Sequence, residues 1–241
     1  MKKSIYLFCL PFAGGNKYSY REYIEKAPPF IKVYPLEYPG RGSRMKEPLM
    51  SNVEELIDDL YAQMKTLADK HDYAIYGHSM GGLLSYLLAI KVMENNLRAP
   101  LHLFITGTTG PSALSRKEKI RHLMGKTEFI QEIKDLKGMP DEILESEEML
   151  QYFEPILRSD FKVSENYTYE YHSPLDIPFT VITGTEEDME IEDIRLWQKE
   201  SKFTVDFKQF QGNHFFIYTH VDNIVDIIGK KLQGFITETP H

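Results

Sequence analysis

Residues 73–82 read Y-A-I-Y-G-H-S-M-G-G. A short run of strand formers ends at a glycine, and an almost wholly apolar stretch follows at 83–94. Apolar runs of those two lengths predict a buried strand that turns straight into a buried helix. Gly77 and Gly81 bracket Ser79 in a G-x-S-x-G pattern at the joint. In so tight a turn the glycines remove Cβ atoms that would collide, and the serine is forced into a strained backbone conformation at the edge of a sheet. A plain glycine turn without chemistry would use the same letters, so the flanking chain has to decide between them.

Outward from this joint, strand and helix signals alternate. Residues 5–10 and 31–36 have strand character, with a glycine turn at 13–15 and a short helix at 18–26 between them. Apolar residues at 53, 56, 57, 60, 64 and 67 predict a helix over 53–69, with Ser51 or Asn52 as its N-cap. Strands follow at 101–106, 177–183 and 205–210, and a last helix at about 221–232. This rhythm predicts an α/β fold: βαβ units with a mostly parallel central sheet and helices on both faces. It breaks between about 107 and 172, where several helical stretches are separated by Gly138, Pro140 and Pro155. The expectation is one domain over 1–241 with a helical insertion at about 107–172, placed to act as a lid over a site at the C-terminal edge of the sheet.

Composition limits the functions available. Of 241 residues 42% are apolar, enough for a sizeable core, and the formal net charge of -8 argues against a nucleic-acid partner. The single cysteine, Cys9, excludes an internal disulfide and fits a reducing cytoplasm. The opening M-K-K-S-I-Y-L-F-C-L-P has the charge of a secretory leader, but its apolar run is short and Pro11 interrupts it. A buried strand is the expectation there. No stretch reaches 18 apolar residues, so no membrane partner is expected either.

If Ser79 is a nucleophile it needs a base, because a serine hydroxyl is weak at neutral pH. Among eight histidines, His214 stands in F-K-Q-F-Q-G-N-H-F-F, after the last strand and a glycine turn. That is where the chain order serine–acid–histidine puts the base, with His220 as the fallback; His78, inside the turn, is expected to point away from the serine. An acid should follow the penultimate strand, where Glu186, Glu187, Asp188, Glu190, Glu192 and Asp193 crowd one loop. One of them would fix the imidazole tautomer, or all would simply form a solvated loop. An oxyanion hole would take the Met80 amide, plus that of Phe12 or Ala13 from the turn L-P-F-A-G-G. No G-x-G-x-x-G fingerprint, P-loop, HExxH or paired Cys/His cluster is present, so neither nucleotide nor metal is expected.

Several landmarks in order carry a resemblance: L-F-C-L-P-F-A-G-G, L-E-Y-P-G-R-G-S-R, Y-G-H-S-M-G-G, G-M-P-D-E-I-L-E-S-E-E-M-L-Q-Y-F-E-P-I-L-R-S-D-F, P-L-D-I-P-F-T-V-I-T-G and F-Q-G-N-H-F-F-I. The chain resembles, nearly end to end, a type II thioesterase, the stand-alone editing hydrolase of nonribosomal peptide and polyketide synthesis. The resemblance implies an α/β-hydrolase fold with a mobile helical lid. It also implies hydrolysis of acyl or peptidyl groups from the phosphopantetheine arm of carrier proteins, clearing mis-primed or stalled units and in some members releasing intermediates. Ser79, His214 and an acid would form the triad, with the Met80 and Ala13 amides as oxyanion hole. No cofactor of its own is implied, because the phosphopantetheine belongs to the partner. The family pattern puts an aspartate three residues after the loop glycine, where Glu187 stands, with Asp188 one step later. Glu187 is therefore the first candidate and Asp188 the alternative.

Residues 115–126 (S-R-K-E-K-I-R-H-L-M-G-K) lean basic and would suit docking of an acidic carrier protein, or form an ordinary solvated face. Phe129, Met149, Phe153 and Leu157 would line an acyl channel or pack the lid. A cytoplasmic monomer is expected. The competing functions are a small-molecule carboxylesterase or lipase with the same triad, and a non-catalytic carrier-binding protein.

Overall fold

Six strands form one sheet in the order β2-β1-β3-β4-β5-β6, every neighbouring pair parallel. They are β1 (Ile5–Leu10), β2 (Ile31–Pro35), β3 (Tyr73–His78), β4 (Leu103–Thr106), β5 (Phe179–Gly184) and β6 (Asp206–Phe210). The computed structural model describes residues 4–138 and 141–237. Pro140, read above as a break between helices, lies outside the described residues.

Strand alternation divides the core between the two faces of the sheet. Phe8, Leu10, Tyr73, Ile75, Leu103, Ile105, Phe179 and Val181 face a cluster built with helices α2 (Val53–Lys70) and α3 (Met80–Glu94). Ile5, Leu7, Cys9, Ala74, Tyr76, Phe104 and Ile182 face the other, built with α1 (Arg21–Lys26), α8 (Phe216–Thr219) and α9 (Val221–Thr237). The central strands are buried on both faces, which is why β3 reads as an unbroken apolar run. Asn52 caps α2 through Glu55 N–H at 2.8 Å. α3 is buried on nearly every side, as its uniform apolar sequence requires.

Between β4 and β5 the chain leaves the sheet for α4 (Lys126–Asp135), α5 (Asp141–Glu145) and α6 (Glu147–Glu165). These helices share a small core of Phe129, Ile133, Leu144, Leu150 and Leu157. After β5 comes α7 (Ile191–Arg195). No helix among the described residues is long and apolar enough to cross a membrane. Cys9 is fully buried, and burial pushes its thiol up well above the ordinary range, so it is no nucleophile.

Two buried histidines tie the fold to pH. His102 stacks on Phe104 with centroids 4.3 Å apart, and its Nε2 meets Thr180 Oγ1 at 2.9 Å. Burial first, then the Lys231 charge, lowers its pKa to about 3, and burial holds His78 well below the usual histidine range. Both therefore stay neutral when folded and take up protons near pH 6.5 when unfolded. Their contribution is complete above pH 6.5 and is lost as pH falls towards 3. Urea denaturation at pH 7 and pH 4 should show the parent losing more stability than His102→Gln, by roughly 3 kcal/mol. Equal losses in the two proteins would contradict the burial of a neutral His102.

Candidate active site

β3 and α3 meet at Ser79, which has φ 55° and ψ -118°, a region costly for any residue with a side chain. The strain is held from both sides. Ser79 N–H donates to Thr106 O at 2.8 Å, extending the β3–β4 ladder, and Ser79 O accepts from Gly82 N–H at 2.9 Å in the first turn of α3. A Cβ on Gly77 would strike the carbonyl of Gly81, and one on Gly81 would strike the carbonyls of Leu10 and Pro11. The two glycines thus let α3 start directly against the end of β1.

That contact brings the turn after β1 beside the serine. In the turn, Gly15 N–H donates to Phe12 O at 2.9 Å and Gly14 N–H donates to Asp160 Oδ2 at 2.7 Å. A trans peptide points its N–H opposite to its C=O, so the Phe12 carbonyl held by Gly15 turns the Ala13 N–H out of the turn. Among the described residues, no hydrogen bond uses the amides of Phe12, Ala13 or Met80. The positive end of α3 adds to the anion preference of this region.

His214 follows β6. Asn213 presents it, accepting Phe215 N–H on Oδ1 at 2.9 Å and Phe216 N–H on its carbonyl at 3.0 Å. His214 Nδ1 donates to Glu187 Oε1 at 2.6 Å, and Glu187 Oε2 accepts Gly184 N–H at 2.6 Å. The Glu187 side chain is 3% exposed and that of His214 21%. Asp188 is exposed and makes no hydrogen bond to His214. With Nδ1–H committed to a carboxylate, Nε2 carries the lone pair that can accept a proton.

The longer acid fits because space is made for it. Gly107 has φ +62°, and a Cβ there would strike His78 and come within 3.2 Å of Glu187 Oε1. A Cβ at Gly184 would lie 2.5 Å from Gly212 O and 2.8 Å from Asn213 O. The acid loop and the histidine loop are then joined by Glu186 N–H to Gly212 O at 2.9 Å and Thr185 N–H to Phe210 O at 2.8 Å. Glu186 pairs with Gln211, and Asp193 accepts from Ser115.

His78 packs against the base. Its ring is buried directly behind His214, centroids 4.7 Å apart, with Nδ1 3.0 Å from Thr106 Oγ1. Strand alternation turns it from the serine, but the loop after β6 folds back over it. No hydrogen bond joins Ser79 Oγ to His214 among the described residues, a looseness common before substrate binds. His220 is turned elsewhere, Nε2 to Gln211 O at 2.8 Å and its ring stacked on Phe210. No group of three or more His, Cys, Asp or Glu side chains among the described residues is placed to hold a metal ion.

Residues 6–232 match the model of the thioesterase domain family. The chain belongs to the thioesterase-domain family. Over 228 residues this thioesterase is 30% identical to the gramicidin S biosynthesis protein GrsT of Aneurinibacillus migulanus, covering 94% of this chain and 88% of that one. Its structure is similar to that of ClbQ from the colibactin NRPS/PKS pathway, with TM-score 0.90, 28% identity and coverage of 96% and 98%. It is also similar to the type II thioesterase BorB from the borrelidin biosynthetic cluster, with TM-score 0.86, 27% identity and coverage of 96% and 94%. The fold is that of the α/β-hydrolase thioesterases, and the chain is a thioester hydrolase.

Around the site of the thioesterase, Phe12, Phe215 and Tyr218 form an aromatic wall, with Phe12 5.0 Å from Phe215 and 6.2 Å from Tyr218 between centroids. The excursion between β4 and β5 touches the site twice. Leu157 of α6 lies where a Cβ on Gly14 would be, at 2.6 Å, and Phe215 lies 2.5 Å from the same point on Gly138. Of the proposed channel residues, Phe129 is buried in the small helical core, Phe153 packs against it and Met149 is exposed. The basic stretch is largely spent within the protein. Arg116 donates to Gly110 O and Thr108 Oγ1, Arg121 and Lys119 pair with Glu132, and His122 pairs with Glu165. Among the described residues Arg116, Lys117 and Lys126 of this stretch make no ion pair, and of these three only Arg116 has side-chain hydrogen bonds.

For thioester turnover, Glu187→Ala should lower kcat by about 10²–10⁴-fold, because an unanchored imidazole loses tautomer and orientation together. Asp188→Ala should stay within about threefold of the parent. A larger loss for Asp188→Ala would overturn the assignment of the acid.

Proposed function

We propose that this thioesterase hydrolyses acyl or peptidyl thioesters from the phosphopantetheine arm of carrier proteins in nonribosomal peptide or polyketide synthesis, removing mis-primed or stalled units. What supports this reading is the strained Ser79 turn after β3, the His214–Glu187 pair after β6 and β5, and the end-to-end likeness to NRPS/PKS thioesterases.

In the first half-reaction, Ser79 Oγ attacks the thioester carbonyl carbon while its proton passes to His214 Nε2. The oxyanion is held by the amides of Met80 and Ala13, with Phe12 the alternative donor; such fixed donors contribute about 10²–10³ in rate apiece. The C–S bond breaks, and the departing pantetheine sulfur takes the proton from Nε2. Water then gives a proton to Nε2 and attacks the acyl-serine. Collapse returns Ser79 its proton and releases the carboxylic acid. Glu187 stays ionised throughout, stabilising the imidazolium through Nδ1–H at 2.6 Å. Burial and then the His214 charge hold His78 low, so it stays neutral and adds no repulsion to that imidazolium.

The chemistry calls for no cofactor held by the enzyme, since the arm arrives on the partner. The helical excursion serves as the lid, consistent with Leu157 lying against Gly14 and Gly138 against Phe215. The same reading has the enzyme acting in the cytoplasm as a monomer, without nucleic-acid or membrane partners.

Kinetics with an acyl-loaded carrier protein and with a p-nitrophenyl ester of equal chain length provide the test. The carrier thioester should give the higher kcat/KM, and Ser79→Ala should abolish both reactions. A strong preference for the ester would make this a small-molecule esterase. Undiminished acyl release by Ser79→Ala would leave only a carrier-binding role.

A further inference from the structure

The turn that supplies the Ala13 amide is held by an ion pair outside the triad. Asp160, on α6, accepts Gly14 N–H on Oδ2 at 2.7 Å. The same carboxylate forms a two-pronged pair with Arg41, Oδ1 accepting Nη2 at 2.6 Å and Oδ2 accepting Nη1. Arg41 Nη1 also donates to Gly15 O at 3.3 Å, and its guanidinium lies over the Tyr38 ring at 5.2 Å. Both side chains are withdrawn from water, 4% and 1% exposed. Two tyrosines fix the start of the turn, Tyr20 OH donating to Leu10 O at 2.6 Å and Tyr38 OH to Pro11 O at 2.8 Å. At Gly14 and Gly15 the outside fixings among the described residues are the Arg41–Asp160 pair and the Leu157 side chain, and the next is Lys17 N–H to Glu37 Oε1 at 3.1 Å.

A buried ion pair is weak support for stability, since apolar residues of similar volume commonly replace one without loss. What apolar replacements would not supply here is an acceptor for Gly14 N–H and a donor for Gly15 O. Gly14 has φ +80° and no side chain to restrain it, so its peptide depends on those two bonds. Rotation of that segment would move the neighbouring Ala13 N–H away from the position of a developing oxyanion.

We propose that Arg41 and Asp160 are positioning residues that set the oxyanion amide of the turn, so that transition-state stabilisation depends on α6 being seated against the sheet. This rests on the assignment of Ser79 and the turn amides made above. The pair acts on the transition state rather than on substrate binding, because it meets the turn from the side of α6 and the 41 loop through Gly14 and Gly15.

The test uses the full chain and an acyl-N-acetylcysteamine thioester, so it does not depend on carrier-protein recognition. Arg41→Met/Asp160→Leu and Asp160→Asn are compared with the parent for kcat, KM, thermal midpoint and inhibition by an alkylthio-trifluoromethyl ketone. That ketone adds to serine and needs the oxyanion donors. The double variant should fold with kcat down about 10²-fold, ketone affinity down in parallel, and KM within about threefold. Asp160→Asn keeps an acceptor for Gly14 and should recover part of both losses. A folded double variant with kcat within threefold of the parent overturns the proposal. So does a kcat loss with unchanged ketone affinity, or failure of both variants to fold, which would make the pair a requirement of the fold alone. A parent protein that neither hydrolyses the thioester nor binds the ketone would instead sink the Ser79 assignment, and this proposal with it.

Discussion

The close seating of the first turn of α3 on the end of β1 is the constraint from which the site follows. Gly81 faces the carbonyls of Leu10 and Pro11 with no room for a Cβ, and Gly77 faces the carbonyl of Gly81 in the same way. A larger residue at either position would lift the helix from the strand. Ser79 would then relax from φ 55°, and the Met80 amide would part from the turn at residues 12–15. The strain at one residue is therefore maintained by backbone-to-backbone contact across two neighbouring strands, with the Thr106 carbonyl fixing Ser79 N–H from a third.

Electrostatics complete what that contact begins. One carboxylate, Glu187, is withdrawn from water and spends its oxygens on Gly184 N–H and His214 Nδ1–H. Glycine at 107 admits both Glu187 and the neutral His78 beneath the base. Asp160 performs the matching task on the other side of the serine, where it takes Gly14 N–H and Arg41 together. Each of these two carboxylates thus meets both a backbone amide and a cationic or proton-bearing side chain, the condition under which charge is tolerated away from water.

Much of this is legible in the order of residues. The central strands follow from unbroken apolar runs, because a parallel sheet is covered on both faces, while the edge strands β2 and β6 are half-exposed and mix polar with apolar residues. Ser79 and His214 stand out by their places relative to strands and glycines. The acid is less legible, since six carboxylates share one loop and only the room at Gly107 and the bond to Gly184 distinguish Glu187 from exposed Asp188. At the basic run 115–126, local sequence does not reveal that Glu132 and Glu165 pair with Lys119, Arg121 and His122. Asp160 leaves a signal that composition hides: it falls in the apolar stripe of α6, one turn from Ile156 and Leu157 and three residues before Val163. A carboxylate in that stripe requires a buried partner, and Arg41, more than a hundred residues earlier, is not in view until the chain folds.

In the proposed mechanism Ser79 carries the acyl group between the two half-reactions. Rapid-quench mass spectrometry on mixing the enzyme with an acyl-loaded carrier protein tests it most directly. A transient adduct of the acyl mass is expected on the peptide containing Ser79, absent in Ser79→Ala and formed far more slowly in His214→Ala. Acyl release at an undiminished rate without any such adduct, or an adduct on another residue, would contradict it.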